Sequence, residues 1–164
     1  VAALDAEERP AAPWWKARKW VLHITYRLFN RYGQPKHCRD GTEKQFGELY
    51  ASECMLHFLD AHCGLMSQLA SGAYFSPRCT NLLFQYMSHA VTIPSCYKRV
   101  GPAWDQLLHH VAFPLMAFNE EDARLWREDP QEYIRKGYDI LEDMYSPKTA
   151  AANFAHDLCG KKRS

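Results

Sequence analysis

The sequence has no Cys-x-x-Cys pair, no His-Glu-x-x-His, no phosphate-cradling glycine loop and no nucleophile elbow. The first two absences remove the usual zinc frameworks. The other two remove the common nucleotide-binding and α/β-hydrolase signatures. An excess of one charge is also missing: 20 basic against 19 acidic residues leave +1. Non-specific nucleic-acid binding needs a concentrated basic surface, so direct nucleic-acid contact is not expected. Long hydrophobic runs are absent too. "VLHITY" is already broken by His23, and no stretch is long and apolar enough to cross a membrane. Residues 1–12 are mixed acidic and alanine-rich, without the basic and apolar regions of a secretory signal. No segment alternates at period two, so there is no strand signal.

Six cysteines are present, at 38, 54, 63, 79, 96 and 159, with irregular gaps. Without a secretory signal they read as reduced thiols of a cytosolic or nuclear protein. The chain starts at Val1 where an initiator Met would stand, so it reads as a fragment. Its 164 residues suit about one domain. With 47% apolar and 24% charged residues it should fold.

Helical periodicity fills the rest. Residues 1–12 read as an extended arm. From Pro13 to Gly33, Trp14, Ala17, Trp20, Val21, Ile24 and Leu28 recur at helical spacing. "GQPKHCRDGT" is a loop. Thr42, with Gln45 three residues on, is expected to cap a buried helix running to about Ser71. Ser76-Pro77 opens a third helix with the stripe Cys79, Leu82, Leu83, Tyr86, Met87, Ala90 and Val91. Gly101-Pro102 opens a fourth, through Trp104, Leu107, Leu108, Val111 and Leu115, with a kink expected before Pro114. An acidic turn is expected at 119–128.

Asp129-Pro130 opens a fifth helix. Asp129 acts as N-cap, Pro130 takes the first position, and Glu132 completes a capping box. Ser146-Pro147 opens a sixth. Three antiparallel pairs follow, at 13–71, 76–118 and 129–160. The fold class is all-α: an α-solenoid of HEAT- or armadillo-like helix pairs spanning 13–164, which fits better than a bundle with two spare helices.

Chemistry candidates are few. Cys54 and His57, with His62-Cys63 beyond, lie along one buried helix and read as core; adjacent His109 and His110 point to different helix faces. "WWKARKW" at 14–20 could be a stacking platform, but Trp14 and Trp20, with Trp15 as a third candidate, are expected to anchor the core. Glu120, Glu121, Asp122, Glu128 and Asp129 form an acidic patch. It reads most simply as a solvated loop plus a cap, and alternatively as an interaction surface for a basic partner.

"RPAAPWWKARKWVLHITYRLFNRYG", then "SHAVT", then "VAFPLMAFNEEDARLWREDPQEYIRKGYDILEDMYSPKTAA" occur in an order that resembles the middle of the karyopherin-β (importin-β-like) nuclear transport receptors. The likeness is greatest to the importin seven/eight branch, covers most of residues 9–160 and is weakest across 34–75. It implies HEAT repeats, shuttling between cytoplasm and nucleus, and no catalysis, cofactor or metal. It also implies protein cargo, Phe-Gly nucleoporins and Ran-GTP as partners, Ran-GTP mainly through regions outside this chain. Pro130, Tyr133, Ile134 and Tyr138 would then help to stack a repeat boundary. Two other readings compete: a generic solenoid scaffold without a transport role, and a helical enzyme with a Cys–His or metal site. Binding of Phe-Gly peptides separates the first pair; metal analysis and thiol labelling test the last.

Overall fold

The computed structural model describes residues 8–136 and 145–161, and all regular structure among them is helical. α1 spans Pro13–Tyr32, α2 Thr42–Leu49, α3 Met55–Ala70, α4 Pro77–Thr92 and α5 Pro94–Val100. α6 spans Ala103–Leu107, α7 Phe113–Met116, α8 Glu120–Glu128, α9 Pro130–Lys136 and α10 Pro147–Lys161. Within the arm expected over 1–12, Arg9–Ala11 forms a 3-10 turn. Gly137 and Tyr138 lie outside the described residues.

Two short π-helical segments join these elements. Tyr50–Cys54 links α2 to α3, and the Met55 N–H reaches back to the Tyr50 carbonyl. The extra residue in the turn keeps Tyr50, Met55, Leu59, His62 and Met66 all buried, although Tyr50 and Met55 are five positions apart. Leu108–Ala112 links α6 to α7, with Phe113 N–H bonded to Leu108 O. Pro114 explains the second one: it has no N–H to donate and its ring crowds the carbonyl four residues earlier. The kink expected there takes the form of a π turn. Thr42 does not cap α2. The N-cap is Gly41, at φ 76°, a backbone conformation glycine adopts without a Cβ clash.

α4 is the centre. Cys79 to Phe84 are buried without a break, followed by Tyr86, Met87, Ala90 and Val91. A helix with so wide an apolar face has to be covered from several sides. α10 provides the most extensive cover and α1 the next, with α3 and α5 also in contact. Ala150, Ala151 and Ala155 are buried on α10, and their small side chains allow a close approach. Phe154 fills the space beyond, 5.5 Å from Phe84 and 6.0 Å from Trp104 between ring centroids. Trp104 donates its indole N–H to Tyr97 O at 2.9 Å. On the other flank Phe29 of α1, Tyr86 of α4 and His62 of α3 form one stack, with centroid separations of 4.3 and 3.7 Å.

The face of α1 that enters the core is not the one its tryptophans mark. Leu22, Thr25 and Phe29 are buried. Trp14 and Trp20, expected as anchors, are 52% and 60% exposed, and Val21 and Ile24 share their surface. Trp15 is the tryptophan that packs inward, edge-on to Phe75 at 5.8 Å with the Arg18 guanidinium 4.8 Å over its ring. The helix has two apolar faces about a third of a turn apart. Thr25 can sit in the buried one because its hydroxyl bonds to Val21 O at 3.0 Å.

His62, 3% exposed, is held by two partners. Nδ1–H donates to Phe58 O at 2.7 Å, and Nε2 lies 3.3 Å from the Thr25 hydroxyl. Burial pushes its pKa down to about 4. Unfolding returns it to the ordinary value of 6.5. In that window the unfolded chain binds more protons than the folded one, so stability falls as pH drops from about 6.5 to about 4 and is unaffected by His62 above it. Denaturant unfolding at pH 4.5 should give a stability lower than at pH 7.5 by roughly 2–3 kcal/mol from this group. The His62→Gln variant should have a flatter pH profile; an identical slope in the variant would assign the loss to other groups.

Candidate functional site

Two surfaces stand apart from the core. The first is the α8–α9 hairpin, which holds every acidic residue picked out from the sequence. Residues 119–128, expected as a turn, are a helix because Asn119 and Asp122 close a capping box. Asp122 N–H bonds to Asn119 Oδ1 at 2.9 Å, and Asn119 N–H bonds to Asp122 Oδ2 at 3.2 Å. Glu120, Glu121 and Asp122 occupy the first turn, where the helix dipole favours negative charge. Asp122 also pairs with Lys148 Nζ at 2.8 Å, tying the hairpin to α10. The Lys148 ammonium holds the Asp122 carboxyl below the usual carboxylate range.

Asp129 ends one helix and starts the next. Its N–H bonds to Leu125 O at 2.8 Å, and its Oδ1 accepts Glu132 N–H at 2.9 Å. The return half of the expected box is not made, because the Asp129 N–H is taken by Leu125 and the Glu132 carboxylate is engaged by Arg135 at 2.6 Å. Of the five acids, Asp122 and Asp129 therefore have internal work. Glu120, Glu121 and Glu128 project from the surface. Beside them Tyr133 is half-buried, edge-on to Trp126 at 5.5 Å and to Phe118 at 6.1 Å. Trp126, Phe118 and Ile134 are exposed, as is Pro130 at the start of α9.

The second surface escaped the reading for charge and metal ligands. It is a cleft of about 700 Å3 with α4 as floor and α1 and α10 as walls. Carboxamides dominate it: Asn30 from α1, Asn81 and Gln85 from α4, and Asn153 from α10. Asn81, 1% exposed, is fully used. It donates to Ser146 O at 3.2 Å and accepts from Arg78 at 2.7 Å and Gln85 at 3.1 Å. His89 sits over Tyr26, edge to face at 5.5 Å. Burial lowers the His89 pKa, with Asp157 acting in the opposite direction. A signal existed in the sequence: Arg78, Asn81, Gln85, Ser88 and Thr92 follow one helical row beside the wide apolar face of α4.

Catalytic chemistry finds no support at the remaining candidates. Among the described residues, no three His, Cys, Asp or Glu side chains converge as metal ligands. Burial raises Cys63 and Cys96 to about 11, which keeps both as unreactive thiols at neutral pH. No described helix is long and apolar enough to cross a membrane.

The fold defines a class first: a helical repeat segment of the α-solenoid type. No family model matches the chain, and no solved structure matches it. Curated relatives do. It is 40% identical over 158 residues, 96% of the chain, to an importin beta-like SAD2 homolog of Arabidopsis thaliana. It is 33% identical over 162 residues, 98% of the chain, to importin-8 of Homo sapiens. It is 32% identical over 152 residues to nonsense-mediated mRNA decay protein 5 of Saccharomyces cerevisiae. The chain belongs to the importin-β-like, or karyopherin-β, family of HEAT-repeat proteins, in its importin seven/eight branch. It spans about 15% of the length of the curated relatives it matches.

The double use of Asp129 gives a local test. Asp129→Ala should lower stability by about 1 kcal/mol through loss of the cap. Thermal melts of the variant read this directly. An unchanged midpoint would mean that the Asp129 bond to Glu132 contributes nothing in solution.

Proposed function

We propose that this chain is a working segment of a nuclear transport receptor. In this reading the receptor carries protein cargo through nuclear pores and shuttles between cytoplasm and nucleus. Ran-GTP controls cargo release, mainly through regions outside this chain, and Phe-Gly nucleoporins are contacted during passage. The segment acts by surface complementarity and catalyses nothing. The observation that carries the reading is identity of 32–40% to importins and their relatives over more than nine-tenths of the chain.

The α8–α9 hairpin is the surface we assign to a basic protein partner. Glu120, Glu121 and Glu128 project from the surface, and no side-chain hydrogen bond or ion pair among the described residues takes up their charge. Trp126 and Phe118 add apolar area next to the carboxylates, and aromatic side chains of this kind anchor interfaces. Electrostatic attraction of this type speeds encounter and weakens with salt.

Permeabilised cells supplied with a receptor carrying this segment should accumulate a fluorescent basic cargo in their nuclei, and only with Ran-GTP present. Charge reversal at Glu120, Glu121 and Glu128 to Lys should cut that accumulation severalfold; lysines at 120 and 121 also oppose the α8 dipole, so a thermal melt must show the variant folded at the assay temperature. Unchanged uptake in the triple variant would remove the hairpin from cargo binding. No Ran-dependent uptake with the unaltered receptor would overturn the transport reading.

A further inference from the structure

The polar cleft over α4 is more specific than the hairpin. Its lining combines five carboxamides, hydroxyls, two histidines and a single carboxylate with aromatic and aliphatic side chains, and it holds no lysine or arginine. A phosphate-bearing ligand would find no cation there to neutralise it. An apolar ligand would strip water from carboxamides and leave them unpaired. A carboxamide carries one acceptor and two donor hydrogens, so it can pair with both the C=O and the N–H of a peptide bond. Gln85 gives one donor to Asn81 and lines the cleft beside it.

One end of the cleft is charged. Asp157 lines it from α10, one helical turn beyond Asn153. Asp157 is the one carboxylate in the lining, with its Oδ1 also 3.7 Å from His156 Nδ1, and burial holds His89 toward its neutral form. The volume, about 700 Å3, suits a few residues of extended chain. We propose that this cleft binds an extended peptide segment. The carboxamides of Asn30, Gln85 and Asn153 pair with its main chain, and Asp157 receives one lysine or arginine side chain. Under the transport reading, on which this identification of the ligand as cargo rests, an exposed strand-like segment of the cargo enters here. Recognition of the backbone makes the site tolerant of sequence, and Asp157 adds a preference for a basic residue at one position.

The test uses the 164-residue chain, labelled with nitrogen-15, and a blocked pentapeptide, acetyl-Ala-Ala-Arg-Ala-Ala-amide. Titration should shift the side-chain amide resonances of Asn30, Gln85 and Asn153 saturably. A glutamate at the central position should abolish the shifts. N-methylation of the peptide bonds, which removes the donors, should weaken binding about tenfold or more. Asp157→Asn should reduce affinity for the arginine peptide about tenfold and leave an all-alanine peptide unaffected. Asp157 is partly solvent-accessible, so this variant should fold, and a thermal melt verifies it. Saturable shifts confined to other residues, or equal binding of the N-methylated peptide, would overturn the proposal. Failed nuclear import with peptide binding retained would refute transport alone. Intact import with no peptide binding would refute the cleft alone.

Discussion

α4 cannot stand in water, and the rest of the structure follows from that constraint. Leu82, Leu83, Phe84, Tyr86 and Met87 are consecutive or nearly so, and they spread over more than half of the circumference. The remaining side carries one polar stripe, from Arg78 through Asn81, Gln85, Ser88 and His89 to Thr92. Coverage must therefore come from several helices at once. α10 answers with alanines and Phe154, α1 with Leu22 and Phe29, and α3 with His62. The stack of Phe29, Tyr86 and His62 fixes three helices against one another through flat faces, which tolerate little sliding. The same polar stripe, left over when the apolar sides are covered, becomes the floor of the cleft.

Much of this organisation was legible from residue spacing. The proline-led starts of α1, α4, α9 and α10 are where the dipeptides put them, because proline suits the first helical turn and little else in a helix. Leu83, Leu108 and Phe154 are buried as their stripes required. Two helices were missed. α5 lies behind Pro94 and is only seven residues long, too short for a periodic pattern to register. α8 was hidden by its charge, although Asn119 and Asp122 form the three-residue spacing of a capping box. The π turn at Tyr50–Cys54 resolves a five-residue gap that a regular helix cannot place on one face.

Trp14 and Trp20 were misassigned for an instructive reason. Size and apolarity favoured their stripe, and the core took the neighbouring one, which contains a threonine and borders an arginine. Local satisfaction decided it: Thr25 bonds to its own helix, and the Arg18 guanidinium lies over the rings of Trp15 and Phe75. Neither compensation can be read from hydrophobicity. The acidic patch shows the same limit from the other side. Five carboxylates that look equivalent in sequence divide into Asp122 and Asp129, committed to caps and an ion pair, and three glutamates that project from the surface. The resemblance to importins was carried by ordered motifs, and the relatives bear it out across the chain, including the stretch at 34–75 where the motifs were weakest.

α4 is the structural hub, and the Asp122–Lys148 pair ties the α8–α9 hairpin to the body at its margin. Native-state hydrogen exchange followed residue by residue tests this arrangement most directly, since local opening free energies rank segments by how much structure must break to expose them. The amides of Leu82 to Val91 should exchange slowest of all, at a rate set by global unfolding, and those of Ala123 to Arg127 faster by orders of magnitude. Protection as high in α8 as in α4, or exchange of α4 well before global unfolding, would contradict the account.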